Sequence, residues 1–139
     1  MAGIGNLIRV QKFKVDEKRR EVSDLEELRA NFVAQLEKLN QEQVREQEIA
    51  SGDSTAALHY ASYAEGARLR RENLQASIQE LDSRIEQARS EMAELFQELK
   101  KYEISEENRL RLLKEQQEKR YQEEMDSFSI EMYRRKSIS

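Results

Sequence analysis

The sequence predicts an all-α fold: two long helices in an antiparallel coiled-coil hairpin, the second helix longer and overhanging the first. Three observations lead there. Proline is absent and only four glycines occur in 139 residues. Charged and apolar residues each make up 37%, which is thin for a compact globule but enough for two helices sharing one seam. Apolar residues also recur at alternating steps of three and four, the signature of a coiled coil.

Glu, Arg, Gln, Leu, Ala and Lys dominate, while valines are few, threonine occurs once and tryptophan is absent. Propensity summed over long windows therefore favours helix. A mean hydropathy of -0.94 would also suit a disordered chain, but disorder carries no periodicity. Here Leu74, Ile78, Leu81, Ile85, Ala88, Met92, Leu95, Leu99 and Tyr102 occupy every step of a heptad frame. Helix one repeats the period through Ile8, Val15, Val22, Leu25, Phe32, Leu36 and Leu39. Lys18 and Arg29 interrupt it, which a coil tolerates when basic side chains lay their methylenes along the seam and keep their charge in water.

Between the two patterns lies Ala50-Ser51-Gly52-Asp53-Ser54-Thr55. Gly52 is expected to end helix one in the left-handed region, and Asp53 or Ser54 to cap helix two. Ser62 with Glu65 offers a later start; the earlier one, with a weak or kinked first segment, is preferred. The chain thus reads as a single domain, 1–139, with helix one over about 6–50, the bend at about 51–56 and helix two over about 57–133. So short a connection makes the helices antiparallel neighbours. Helix one alone spans roughly 70 Å. After Tyr102 the old frame meets Glu106 and Arg109 and is expected to fail. A shifted frame runs through Leu110, Leu113, Tyr121, Met125, Phe128 and Met132 with several steps of four, which relax the supercoil. This stripe lacks an internal partner and is a candidate binding face.

Catalytic chemistry finds no foothold. Cysteine is absent and the one histidine is His59, expected to be a surface or packing residue. No glycine-rich phosphate loop occurs, and carboxylates on a solvated coil sit outside any pocket that would tune them. The chain is read as no enzyme, with neither cofactor nor metal. No apolar run is long enough to span a membrane, and the first residues do not resemble a signal peptide. The arginines at 68, 70 and 71 are too sparse for a basic DNA-reading helix, so no nucleic acid is expected.

Two surface groups remain as binding candidates. Tyr60, Tyr63, Arg70 and Arg71 sit near the bend and are residue types enriched at binding hot spots; the alternative for the tyrosines is packing on Ile49 and Val44. Lys12, Lys14, Arg19 and Arg20, with Arg134, Arg135 and Lys136, form basic clusters in a chain of net charge -4. In a hairpin they are expected to gather at the open end.

The pattern resembles the flagellar type III export protein FliJ family, especially its alphaproteobacterial branch. The residues that carry the resemblance begin with Leu7-Ile8-Arg9-Val10, Phe13 and Val15-Asp16-Glu17-Lys18-Arg19-Arg20. They continue with Tyr60, Tyr63, Ala67, Arg68, Arg70, Arg71, Asn73 and Leu74, then Leu95, Leu99, Lys100 and Lys101. The resemblance implies a stalk similar in shape to the coiled coil of the rotary ATP synthase γ subunit, standing in the export ATPase hexamer. It also implies contact with the cytoplasmic domain of the export gate, binding of export chaperones, and kinship with injectisome stalk proteins. On that basis the gate contacts are expected at Tyr60, Tyr63, Ala67, Arg70 and Arg71, and the ATPase contacts at the basic clusters. The free chain is expected to be a cytoplasmic monomer, peripherally associated with the inner-membrane export apparatus. A general coiled-coil chaperone and a self-associating structural coil are the rival readings.

Overall fold

The computed structural model describes residues 2–138, and all but the bend is helical. Helix α1 spans Ala2–Ser51 and helix α2 spans Ser54–Ile138. The described chain divides into two compact units, Phe13–Leu95 and Met1–Lys12 with Phe96–Ser139.

In the 13–95 unit the two helices run antiparallel. Side-chain bonds pair Lys18 with Glu91, Arg29 with Asp82, Asn40 with Arg71 and Gln43 with Tyr60. Partner numbers fall along α2 as they rise along α1. The seam follows alternating heptad positions of each helix. Val15, Val22 and Leu39 of α1 are buried, as are Ala67, Leu74, Leu81, Ile85 and Ala88 of α2. Each fully buried aliphatic side chain contributes roughly 1.5–3 kcal/mol, so this row supplies most of the folding drive.

Lys18 and Arg29 hold seam positions as the heptad requires, and each finds a carboxylate. Lys18 bonds Glu91 across the seam and Glu21 on its own helix. Those two bonds raise the ammonium pKa against the opposing effect of burial. Lys18 and then Gln87 lower the Glu91 carboxyl in turn. Arg89 pairs with Glu26 alongside. Exposed pairs of this kind are worth about 0–1 kcal/mol each, so they fix pairing register more than stability.

The bend is made locally. Gly52 N–H donates to Ile49 O at 3.2 Å and the Ser51 hydroxyl donates to Glu48 O at 2.8 Å, closing the last turn of α1. Asp53 then caps α2, its carboxylate accepting from Thr55 N–H at 3.0 Å. The later capping pair is not used, since α2 is already helical there and Glu65 bonds Arg68 instead. Gly52 corrects the sequence expectation, because among the described residues no glycine has positive φ. A β-carbon at Gly52 would meet Ile49 O at 3.7 Å, an ordinary contact. Gly52→Ala is therefore expected to hold or raise stability, by up to about 1 kcal/mol through the less flexible unfolded chain. A thermal melt that drops by several degrees would show that the bend needs glycine.

In the other unit, 2–12 lies along the start of the 96–138 segment. Leu99 is buried, Gln11 is buried on the facing side, and the Gln11 amide donates to Glu98 at 3.4 Å. The heptad frame does not fail after Tyr102. Glu106 and Arg109 continue it as half-buried residues bonded to each other at 2.7 Å, so an ion pair occupies seam positions where apolar residues were required for recognition. Past Arg109 every described residue is exposed, including Leu110, Leu113, Tyr121, Met125, Phe128 and Met132.

Candidate partner-binding surfaces

The tyrosine–arginine group belongs to the 13–95 unit, and the seam absorbs much of it. Leu39, Ala67 and Leu74 form a buried cluster with Phe32, Leu36 and Tyr63 packed against it. Ala67 is 2% exposed and is thus a packing residue. Tyr63 lays its ring on this cluster, and its hydroxyl is inaccessible with no hydrogen-bond partner among the described residues. Burial, then the charges of Glu42 and Glu46, push its phenol pKa up. Tyr60 lies 6.3 Å from Tyr63, ring to ring, and its hydroxyl accepts from the Gln43 amide at 3.4 Å. Ile49 and Val44, the alternative packing surface, are both mostly exposed. Tyr63 packs further from the bend than Ile49 and Val44, on the Leu39 cluster, while Tyr60 reaches Gln43 beside Val44.

The arginine run separates by role. Arg68 is held between Glu65 at 2.7 Å and Glu72 at 2.8 Å, and these bonds raise its pKa further. Arg71 reaches across to Asn40 at 3.1 Å and to Gln43. Arg70 stands exposed. Of the five gate candidates, Arg70 is thus fully presented to solvent, Tyr60 and Arg71 in part, and Tyr63 and Ala67 chiefly face the seam. Leu58 and Leu69, which flank the tyrosines and arginines in the sequence, are exposed nearby in the chain. They fall off the heptad frame, and frame position was the signal that would have flagged them.

Within the unit of 2–12 and 96–138, Lys12 and the C-terminal basic residues stand apart. Lys12 follows Gln11, which faces Glu98. Arg134, Arg135 and Lys136 lie in the same unit, but nearly forty residues further along α2, roughly 50 Å at the helical rise. The expectation that the termini gather their charges fails here because the tail overshoots α1. Lys14, Arg19 and Arg20 belong to the 13–95 unit and are exposed. Arg19 is 3.5 Å from Asp16. His59 is exposed, and among the described residues no three His, Cys, Asp or Glu side chains converge as metal ligands. Nor is any helix of the described residues long and apolar enough to cross a membrane.

These features define a class: a coiled-coil helical hairpin whose seam is internal, with exposed polar flanks and an uncovered helical tail. Over 98 residues, 70% of this chain and 70% of theirs, it is 29% identical to the flagellar FliJ proteins of two strains of Caulobacter vibrioides. That similarity supports membership of the FliJ family. No family model matches the chain, and no solved structure matches it significantly.

Proposed function

We propose that this chain is a non-catalytic stalk or adaptor of the flagellar protein export apparatus. In this reading it bridges the export ATPase ring and the cytoplasmic domain of the membrane export gate and receives export chaperones. The observation that carries it is the similarity to FliJ proteins over most of both chains. The fold is compatible: two helices satisfy each other along one seam and leave polar flanks for partners. The chain works in the cytoplasm, peripherally attached to the inner-membrane apparatus through the gate. Tyr60, Arg70 and Arg71 are the gate contacts, with Tyr63 and Ala67 supporting them from the seam. Lys12, Lys14, Arg19, Arg20, Arg134, Arg135 and Lys136 engage the ATPase.

Charge contacts suit a stalk that must move, because they steer docking and are screened over about 8 Å at physiological salt. Changing Arg134, Arg135 and Lys136 together to Glu is expected to weaken ATPase binding about tenfold or more at low salt, and to leave gate binding intact. Wild-type affinity should itself fall as salt rises. Titration of the ATPase at two ionic strengths, with both chains, tests this. Equal affinity throughout would make these residues solvated surface.

The exposed stripe of 110–132 favours one further reading, a chaperone or chaperone escort that holds clients on the tail. Suppression of aggregation of an unfolded export substrate, lost when the stripe is made polar, would support it.

A further inference from the structure

The segment 2–12 covers the start of 96–138 through a thin contact. On its seam side Ile4 and Ile8 are half-buried, and the buried residue is a glutamine, Gln11. Opposite it α2 buries Leu99, while Tyr102, Glu106 and Arg109 are half-buried. The 13–95 unit buries eight aliphatic side chains along its own seam. Apolar burial supplies most of the drive that holds two helices together, so the drive that keeps 2–12 docked is small.

The helix of 2–12 is also weak in itself. It carries Gly3 and Gly5, and a helical glycine is several-fold less favourable than alanine. Neither glycine serves packing, because a β-carbon at either would meet nothing within 4 Å. The first turn of α1 holds no acidic residue to complement the helix dipole. The Gln11 amide donates to Glu98 at 3.4 Å, long for such a bond. Glu98 also accepts from the Tyr102 hydroxyl at 2.8 Å, so the carboxylate keeps a partner when Gln11 leaves.

We propose that 2–12 is a latch on α2, which opens and closes while the 13–95 hairpin stays folded. Three features set it apart from a plain end of the coil: a buried amide in place of an aliphatic side chain, two glycines with no packing role, and a carboxylate satisfied in either state. Openings of this kind occupy the low end of the stability range within one molecule. Opening uncovers Leu99 and Tyr102. It lengthens the exposed stretch of α2, which otherwise begins past Arg109, by about 15 Å of helix. The latch therefore sets how much of α2 is presented to solvent. Gln11 tunes it, since a polar residue at a seam position lowers stability relative to an apolar one.

Hydrogen exchange of the full-length chain tests this. The 6–12 amides should exchange on the order of a hundredfold faster than those of 22–39, with almost no dependence on low urea, because the opening exposes little surface. Gly3→Ala combined with Gly5→Ala should slow the 6–12 amides about tenfold. Gln11→Leu should slow them by a similar factor, and both variants should leave 22–39 at wild-type rates. A second readout uses a thiol in this cysteine-free chain. Leu99→Cys should react with a small disulfide reagent far faster than Ile85→Cys, and adding Gln11→Leu should slow the first and not the second. Exchange of 6–12 that waits for global unfolding would overturn the proposal, as would indifference to Gln11→Leu and to the alanine pair. Protection that rises gradually from 6 to 12, with Leu99→Cys as slow as Ile85→Cys, would be fraying of the first turns and would equally overturn it. None of these outcomes bears on the stalk reading, whose charge test changes only 134–136.

Discussion

Leu81→Ala is expected to destabilise the hairpin by about 3 kcal/mol, within the 2–5 kcal/mol range of buried leucine truncations. Leu81 is 4% exposed and lies between Ile78 and Ile85 on the α2 seam. A two-helix seam has no second layer behind it, so a truncated side chain leaves a gap that only water or a shift of α1 can fill. The value stays below the upper limit because water reaches a narrow seam more readily than a globular core. Net stabilities are only about 5–15 kcal/mol, so this one change removes a large fraction. Leu95 is half-buried, and Leu95→Ala should cost about 2 kcal/mol or less. Leu112→Ala, at an exposed tail position, should leave the melt unchanged. Urea titration followed by circular dichroism gives the series. Equal effects at Leu81 and Leu112 would mean that the seam does not hold the fold.

The hairpin was legible because a heptad frame reports which face of a helix is buried without reference to any distant residue. Leu74, Leu81, Ile85, Ala88 and Leu99, on the α2 frame, are all buried. Lys18 and Arg29 also obeyed the frame, since position on the helix decides burial before chemistry does, and a carboxylate opposite then resolves the cost. Glu106 and Arg109 misled for the same reason: a pattern search demands apolar residues, whereas an ion pair at intervals of three fills the same place. The bend was located from Gly52 and Asp53, but the backbone there was misjudged. A closing bond from Gly52 N–H to Ile49 O ends α1 without a left-handed residue. Least legible were the binding surfaces. Tyr63 and Arg70 carry equal hot-spot chemistry in the sequence, and only the packing of α1 separates the ring in the seam from the guanidinium in water. The placement of Lys12 relative to Arg134 depended on how far α2 overshoots, which the sequence leaves open.

Tyr63 yields the second large effect, and its two substitutions are expected to act in opposite directions. Tyr63→Ala removes a ring packed on Leu39, Ala67 and Leu74 and should destabilise by about 3 kcal/mol, near the low end for aromatic truncations because the residue is only half-buried. Tyr63→Phe keeps the ring and removes a hydroxyl that is inaccessible and has no partner among the described residues. A hydroxyl in that state costs about 1–3 kcal/mol, so the phenylalanine variant should be more stable by about 1 kcal/mol. The two tyrosines differ here, because the Tyr60 hydroxyl accepts from Gln43 and Tyr60→Phe should gain nothing. An alkaline titration gives an independent check. Burial raises the Tyr63 phenol above its usual 10.0, so the unfolded chain ionises first. The unfolded state then binds fewer protons than the folded state, and wild-type stability must fall as pH rises through and above about 10. Tyr63→Phe lacks that group, so its advantage over wild type should widen in the same window. The pair also separates packing from recognition. If the gate contacts the hydroxyl, Tyr63→Phe will weaken gate binding while stabilising the fold. If the ring acts only through the seam, gate affinity will follow wild type in Tyr63→Phe and fall in Tyr63→Ala only as far as the hairpin melts. A Phe variant no more stable than wild type at neutral pH, with no widening gap in alkali, would mean that the hydroxyl finds a bond in solution.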